Sequence, residues 1–131
     1  MDTPTISTPR TPRRVLCLED EQFISELYVR ALVKAGYEVK TCPDGTEGFE
    51  EAKTNTYDII LLDLMMPNML GMDILKRLRT EVPQLKAKVI VTTNLGQSKE
   101  HREAMEKQAD GYLIKAEVTP RQLVEFLSNI K

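Results

Sequence analysis

Val15 to Glu21 reads VLCLEDE: four apolar residues run straight into three acidic ones with no turn residue between them. With Arg14 in front, the apolar part is short, continuous and β-prone, as a buried strand is. Directly after the acids, Phe23, Ile24, Leu27, Tyr28, Ala31, Leu32 and Ala35 recur at three- and four-residue spacing, read as one face of a helix closed by Gly36. The junction between strand and helix therefore carries three like charges that repel one another. Something must make their convergence worthwhile.

The same alternation continues downstream. YEVKTC is a second strand, TEGFEEAKTN a second helix, and DIILLDL a third strand with apolar residues on both faces. After MMPNMLG comes a helix through MDILKRLRTE, then Pro83 and the strand KVIVTT. SKEHREAMEKQ reads as a fourth helix, DGYLI as a fifth strand, and PRQLVEFLSNI as a final helix opened by Thr119 with Pro120 at its first position. Five βα units of this kind predict a parallel sheet covered on both faces, and the near-continuous apolar character of strands one, three and four agrees. Right-handed crossovers put helices on both faces only if the chain reverses direction once, which strand order 2-1-3-4-5 does. The expected fold is α/β, a doubly wound, five-stranded, flavodoxin-like (βα)5 sheet.

With 131 residues, 41% of them apolar, the chain has the substance of one core and no more. A net charge of −2 supplies no electrostatic footprint for nucleic acid or an anionic membrane, so neither is an expected direct partner. The apolar runs are too short to span a bilayer and the N-terminus lacks the apolar block of a signal peptide, which makes a cytoplasmic location the expectation. Cys17 and Cys42 lie in apolar stretches without CxxC spacing, and are read as buried free thiols. Residues 1–13, MDTPTISTPRTPR, hold three prolines and four threonines with almost nothing apolar; they are read as a flexible Thr/Pro-rich tail ahead of a domain at 14–131.

In sheets of this topology ligands bind beyond the carboxyl ends of the strands, at the point where strand order reverses. Glu19 and Asp20 end strand one and Asp63 ends strand three, so three carboxylates are expected to share one crevice. Converged carboxylates suit a hard divalent cation, Mg²⁺ in particular, which takes one or two carboxylates with water or phosphate oxygens completing its octahedron. A plainer reading has Glu19 and Asp20 merely facing the positive N-terminal end of the first helix. The other strand ends shift the balance, because strand four ends in Thr92 and Thr93 and strand five leads to Lys115. Acids, hydroxyls and an ammonium on one sheet edge describe a phosphoryl-transfer site.

On the segments CLEDE, LLDLMMPNMLG, VIVTT and GYLIK, the sequence from Arg14 to Lys131 resembles the receiver domain of two-component response regulators, and among these the stand-alone, chemotaxis-regulator-like ones. The resemblance implies that Asp63 is the phosphoacceptor, that Asp20 and Asp63 ligate Mg²⁺ directly, with Mn²⁺ as a substitute, and that Glu19 acts on the metal through water. It implies a further ligand in the backbone carbonyl of Met65, contacts from Thr92 and Lys115 to the phosphoryl oxygens, and Tyr112 as an aromatic switch residue. Met65 and Asn94, each two positions after a site residue, would flank the line of attack and tune dephosphorylation. Ala116 follows Lys115 where the family commonly has proline. A carboxylate is a weak nucleophile toward phosphate, but the transition state spreads charge over three oxygens, so a metal and an ammonium around them supply most of the acceleration.

Two other Mg²⁺ or phosphate folds fit less well. A haloacid-dehalogenase-type phosphatase would have Asp-x-Asp where this chain has Asp63-Leu64-Met65, and a flavodoxin would need a phosphate-cradling loop where EDEQF stands. A phosphorylation-independent pseudo-receiver, a pure interaction module, is the remaining competitor, and retention of Glu19, Asp20, Asp63, Thr92 and Lys115 argues against it. The expectation is thus a single-domain switch that catalyses its own phosphorylation and dephosphorylation. Its phosphate donor is a histidine kinase or a histidine phosphotransfer protein. Its output is a protein target bound through the fourth helix, fifth strand and final helix, as a monomer or a phosphorylation-dependent dimer.

Overall fold

A computed structural model describes residues 13–94, 102–103 and 107–130. The strands are β1 (Arg14–Leu18), β2 (Glu38–Cys42), β3 (Ile59–Asp63), β4 (Lys88–Thr93) and β5 (Gly111–Ile114), and the helices α1 (Gln22–Lys34), α2 (Gly45–Ala52), α3 (Gly71–Glu81) and α4 (Pro120–Ser128). All four strand pairings are parallel and the order is β2-β1-β3-β4-β5, as expected from the sequence. The fourth predicted helix lies mostly outside the described residues, so α4 here is the final helix. It opens as its sequence predicts: Thr119 Oγ1 accepts the Gln122 N–H at 3.1 Å while the Gln122 side chain accepts the Thr119 N–H at 2.9 Å, with Pro120 in the first turn.

Strand alternation divides the core in two. Leu16, Leu18, Ile60, Leu62, Val89 and Val91 face α2 and α3, where they meet Phe49, Ile74, Leu75 and Leu78. Val15, Cys17, Ile59, Leu61 and Ile90 face the opposite way, toward Tyr28 and Leu32 of α1 and Leu123 and Leu127 of α4. Each fully buried aliphatic side chain stabilises the fold by about 1.5–3 kcal/mol, so the central strands β1, β3 and β4 are the most firmly held part of the molecule. β2 is an edge strand, and its exposed Glu38, Lys40 and Thr41 suit a position open to solvent.

Two details differ from the sequence reading. The apolar residues of α1 do not share one face: Ser25, Tyr28 and Leu32 are buried, whereas Phe23 is 73% exposed. At 3.6 residues per turn Phe23 and Leu27 stand about 160° from Ser25, on the far side of the helix. Arg13, counted with the tail, is tied to the domain, since its guanidinium donates to the Ile130 carbonyl at 2.9 Å and its own carbonyl accepts the Glu38 N–H at 3.0 Å.

Candidate functional site

Register decides which side chains meet. β3 and β4 pair with Asp63 beside Thr92, and β1 runs on the other side of β3 with Leu18 beside Leu62. The period of two puts Cys17, Leu61 and Asp63 on the α1/α4 face. Glu19 continues that alternation past the end of β1. Asp63 and Glu19 are therefore buried neighbours, each 3% exposed, while Asp20 is exposed at the rim. Carboxylate oxygens of Glu19, Asp20 and Asp63 lie within 4.8 Å of one another.

Each buried acid is held in place. Asp63 Oδ1 accepts the Met65 N–H at 3.0 Å and Oδ2 accepts Lys115 Nζ at 2.9 Å. Glu19 Oε2 accepts the Glu21 N–H at 3.1 Å, and Glu19 Oε1 lies 2.7 Å from Lys115 Nζ. Glu21, the N-cap of α1, makes no side-chain capping bond to that helix; the one acid that meets its start is Glu19, through the Glu21 N–H. Lys115 thus reaches from the end of β5 across β4 to bridge two carboxylates. The ion pair between Glu19 and Lys115 is not legible in the sequence, because β5 and β1 are separated by β4 and β3 and only the length of the lysine side chain lets it reach that far.

Electrostatics follow from burial. Desolvation raises the Glu19 pKa above the usual carboxylate range, with Lys115 and the Glu21 N–H pulling the other way and Asp63 adding to the rise. For Lys115, burial alone would lower the pKa, but Glu19 and Asp63 together raise it above that of an ordinary lysine. Beneath them, burial and the charge of Glu19 push the Cys17 thiol up to about 12, so it stays protonated, and Cys42 is likewise a buried free thiol.

Three carboxylates against one ammonium leave the crevice negative. Glu19 Oε1 is buried with no hydrogen-bond partner beyond its ion pair, and Asp20 opens the cluster to solvent. Hard oxygen donors, surplus negative charge and an open side are what a Mg²⁺ ion with retained waters requires, so the residues fit that ion.

The remaining predicted residues are placed as follows. Thr92 is buried in the row of Asp63, and Thr93 is buried beside it. Met65 is 64% exposed on the loop after β3. Asn94 directly follows β4 and is exposed; its carbonyl accepts the Thr93 hydroxyl at 3.1 Å. Tyr112 pairs with Val91, one residue out of step with Thr92, so it lies on the opposite face of the sheet from Asp63 and is 37% exposed. After β5 the chain makes a 3-10 turn over Lys115–Glu117, and the peptide bonds of the described residues, Lys115–Ala116 included, are trans.

The β3–α3 connection turns tightly because α3 starts almost in contact with the strand end. A Cβ on Gly71 would sit 2.4 Å from the Asp63 carbonyl oxygen and 2.5 Å from the Leu64 Cα, so only glycine fits.

This arrangement agrees with what comparison shows. The family model described as "Response regulator receiver domain" matches residues 15–128, and the chain belongs to that family. Curated relatives include the Gliding motility regulatory protein of Myxococcus xanthus, 30% identical over 131 residues that cover 99% of this chain and 17% of that protein. Transcriptional regulatory protein CusR of Escherichia coli is 31% identical over 118 residues, covering 90% of this chain and 49% of that protein. The chain therefore spans half or less of the length of these relatives. Among solved structures, a CheY-like response regulator receiver domain protein from Methanospirillum hungatei superimposes with a TM-score of 0.80 at 27% identity, covering 90% of this chain and 92% of that one. Chemotaxis protein CheY4 of Vibrio cholerae gives 0.80 at 27% identity, covering 92% of this chain and all of the other.

Proposed function

We propose that Asp63 accepts a phosphoryl group from a phosphohistidine on a histidine kinase or a histidine phosphotransfer protein, and that this switches a protein-interaction surface. The observation that carries the reading is the Asp63 carboxylate itself: buried at the switch point of the sheet, oriented by Met65 N–H and Lys115 Nζ, and within 4.8 Å of the oxygens of two further acids.

In the proposed reaction an Asp63 carboxylate oxygen attacks phosphorus, the phosphorus–nitrogen bond of the donor breaks, and its electron pair stays on the imidazole nitrogen. Asp20 and Asp63, the Met65 carbonyl, and Glu19 through water would hold Mg²⁺. Bound there, the ion would supply positive charge beside the transferring oxygens. Lys115 holds Asp63 in place beforehand and is the ammonium within reach of the phosphoryl oxygens. Thr92, beside Asp63 on the neighbouring strand, supplies a hydroxyl to them, and Met65 and Asn94 at the rim set how readily water reaches the acyl phosphate.

Output is assigned to β5, α4 and the segment between β4 and β5, with Tyr112 as the residue whose packing reports the state of Thr92. The test of the acceptor is an intact mass after incubation with Mg²⁺ and acetyl phosphate. A gain of one phosphate is expected in the wild type and none in Asp63→Asn; equal labelling of that variant would remove Asp63 as the acceptor.

A further inference from the structure

We propose that Asp44 and Asn68 are positioning residues for the acidic site, clamping the loop that carries Met65 onto the N-terminus of α2 and thereby setting the geometry offered to a metal. The inference rests on the phosphoacceptor reading and deepens it.

The loop from Leu64 to Leu70 is closed at its base by bonds from main-chain N–H groups. Leu64 N–H donates to the Thr92 carbonyl at 3.3 Å, Gly71 N–H donates to the Leu64 carbonyl at 2.9 Å, and Met65 N–H reaches back to Asp63 Oδ1 at 3.0 Å. Its tip is held by a different element. Asp44 is the N-cap of α2: its Oδ1 accepts the Glu47 N–H at 3.0 Å, and its Oδ2 accepts the side-chain amide of Asn68. One carboxylate thus caps a helix and holds a loop.

The contact is backed by the main chain. Gly45 N–H donates to the Pro67 carbonyl at 2.9 Å, and a Cβ on Gly45 would stand 2.1 Å from the Met69 carbonyl oxygen. The loop backbone therefore lies directly against the first turn of α2. Asn68 holds φ at 68°, a left-handed conformation that asparagine tolerates better than most residues. The Glu47 N–H and the Asn68 amide together hold the Asp44 carboxyl below the usual aspartate range.

Between the closed base and the clamped tip lies Met65, 64% exposed, whose carbonyl is the proposed metal ligand. An exposed hydrogen bond adds little to global stability, but fixing the tip of a short loop removes alternative positions for a ligand within it. Neither Asp44 nor Asn68 belongs to the acid cluster, so neither offers a ligand atom there, and Asn68, which is uncharged, acts on a metal through the loop.

The test is calorimetric titration of the metal-free full chain with Mg²⁺ alone, which reads binding and not phosphorylation. Asn68→Ala removes the donor. Asp44→Ser keeps an N-cap acceptor for α2 but is too short to hold the loop, so the helix stays capped. Both are expected to raise the Mg²⁺ dissociation constant about 10-fold, the scale on which residues behind a metal ligand act. The double variant Asp44→Asn with Asn68→Asp exchanges donor and acceptor, and is expected to restore wild-type affinity. Wild-type affinity in Asn68→Ala and Asp44→Ser, or a folded double variant no tighter than the single ones, would overturn the proposal. Absence of Mg²⁺ binding by the wild type would instead overturn the phosphoacceptor reading beneath it.

Discussion

Lys115 Nζ stands 2.7 Å from Glu19 Oε1, with the two side chains only 6% and 2% exposed, so a strand-end lysine neutralises a carboxylate two strands beyond its neighbour. Breaking a buried pair by removing one partner leaves an uncompensated charge and costs about 3–5 kcal/mol. Lys115→Met is expected to lower the stability of the metal-free protein by roughly that amount at pH 8. The pH dependence has two windows. Glu19, raised in the folded state, keeps a proton that the unfolded chain has released, so stability falls as pH rises from the ordinary glutamate range through the raised one. Lys115, also raised, contributes fully below the ordinary lysine range and loses its contribution as pH climbs through its folded value. Urea unfolding against pH in chelator should show both declines in the wild type; the variant should lack the upper one and show a stronger lower one. A variant with the wild-type midpoint at pH 8 would contradict the pairing.

Mg²⁺ is expected to raise the melting temperature, because an ion that binds only the folded state stabilises it by mass action and here relieves repulsion among three acids. Asp20 is exposed, so Asp20→Ala should cost little without metal and should abolish the Mg²⁺ shift. Thermal unfolding with Mg²⁺ and with chelator reads both quantities. An undiminished shift in the variant would move the metal elsewhere.

Gly71→Ala tests the tight start of α3. The added methyl group meets the Asp63 carbonyl and the Leu64 backbone, neither of which is a flexible side-chain end. A loss of about 1–3 kcal/mol is expected, together with weaker Mg²⁺ binding, since relief of the clash must move the residues that carry the acceptor. Denaturant unfolding and titration of the same variant check the two effects, and an unchanged stability would mean that the helix shifts freely.

Hydrogen exchange with beryllofluoride and Mg²⁺ tests the output surface. Protection changes are expected at Asn94, along β5 around Tyr112, and in the first turn of α4, and they should shrink in Thr92→Ala. Thr92 and Tyr112 are one residue out of step on neighbouring strands, so they lie on opposite faces and must communicate through β4 itself. Changes concentrated in α1 or α2 would place the output elsewhere.

The sequence alone determined the order of elements, the sheet topology and the rows of acids. These depend on local periodicity and on chain-reversal rules, both of which are short-range or topological. Glu19, Asp20, Asp63, Thr92 and Lys115 were legible because each closes a strand or follows one, and strand ends of a parallel sheet share an edge whatever the details of packing. Tertiary structure alone decided the rest. It turned Phe23 and Leu27 away from the core, because which part of an apolar helix surface is buried depends on the docking of the helix on the sheet. It brought Lys115 onto Glu19 as well as Asp63, a choice set by how far a flexible side chain can extend in a low-dielectric crevice. And it joined Asp44 to Asn68, 24 positions apart, because that contact exists only once α2 and the β3–α3 loop have been packed against the same strands.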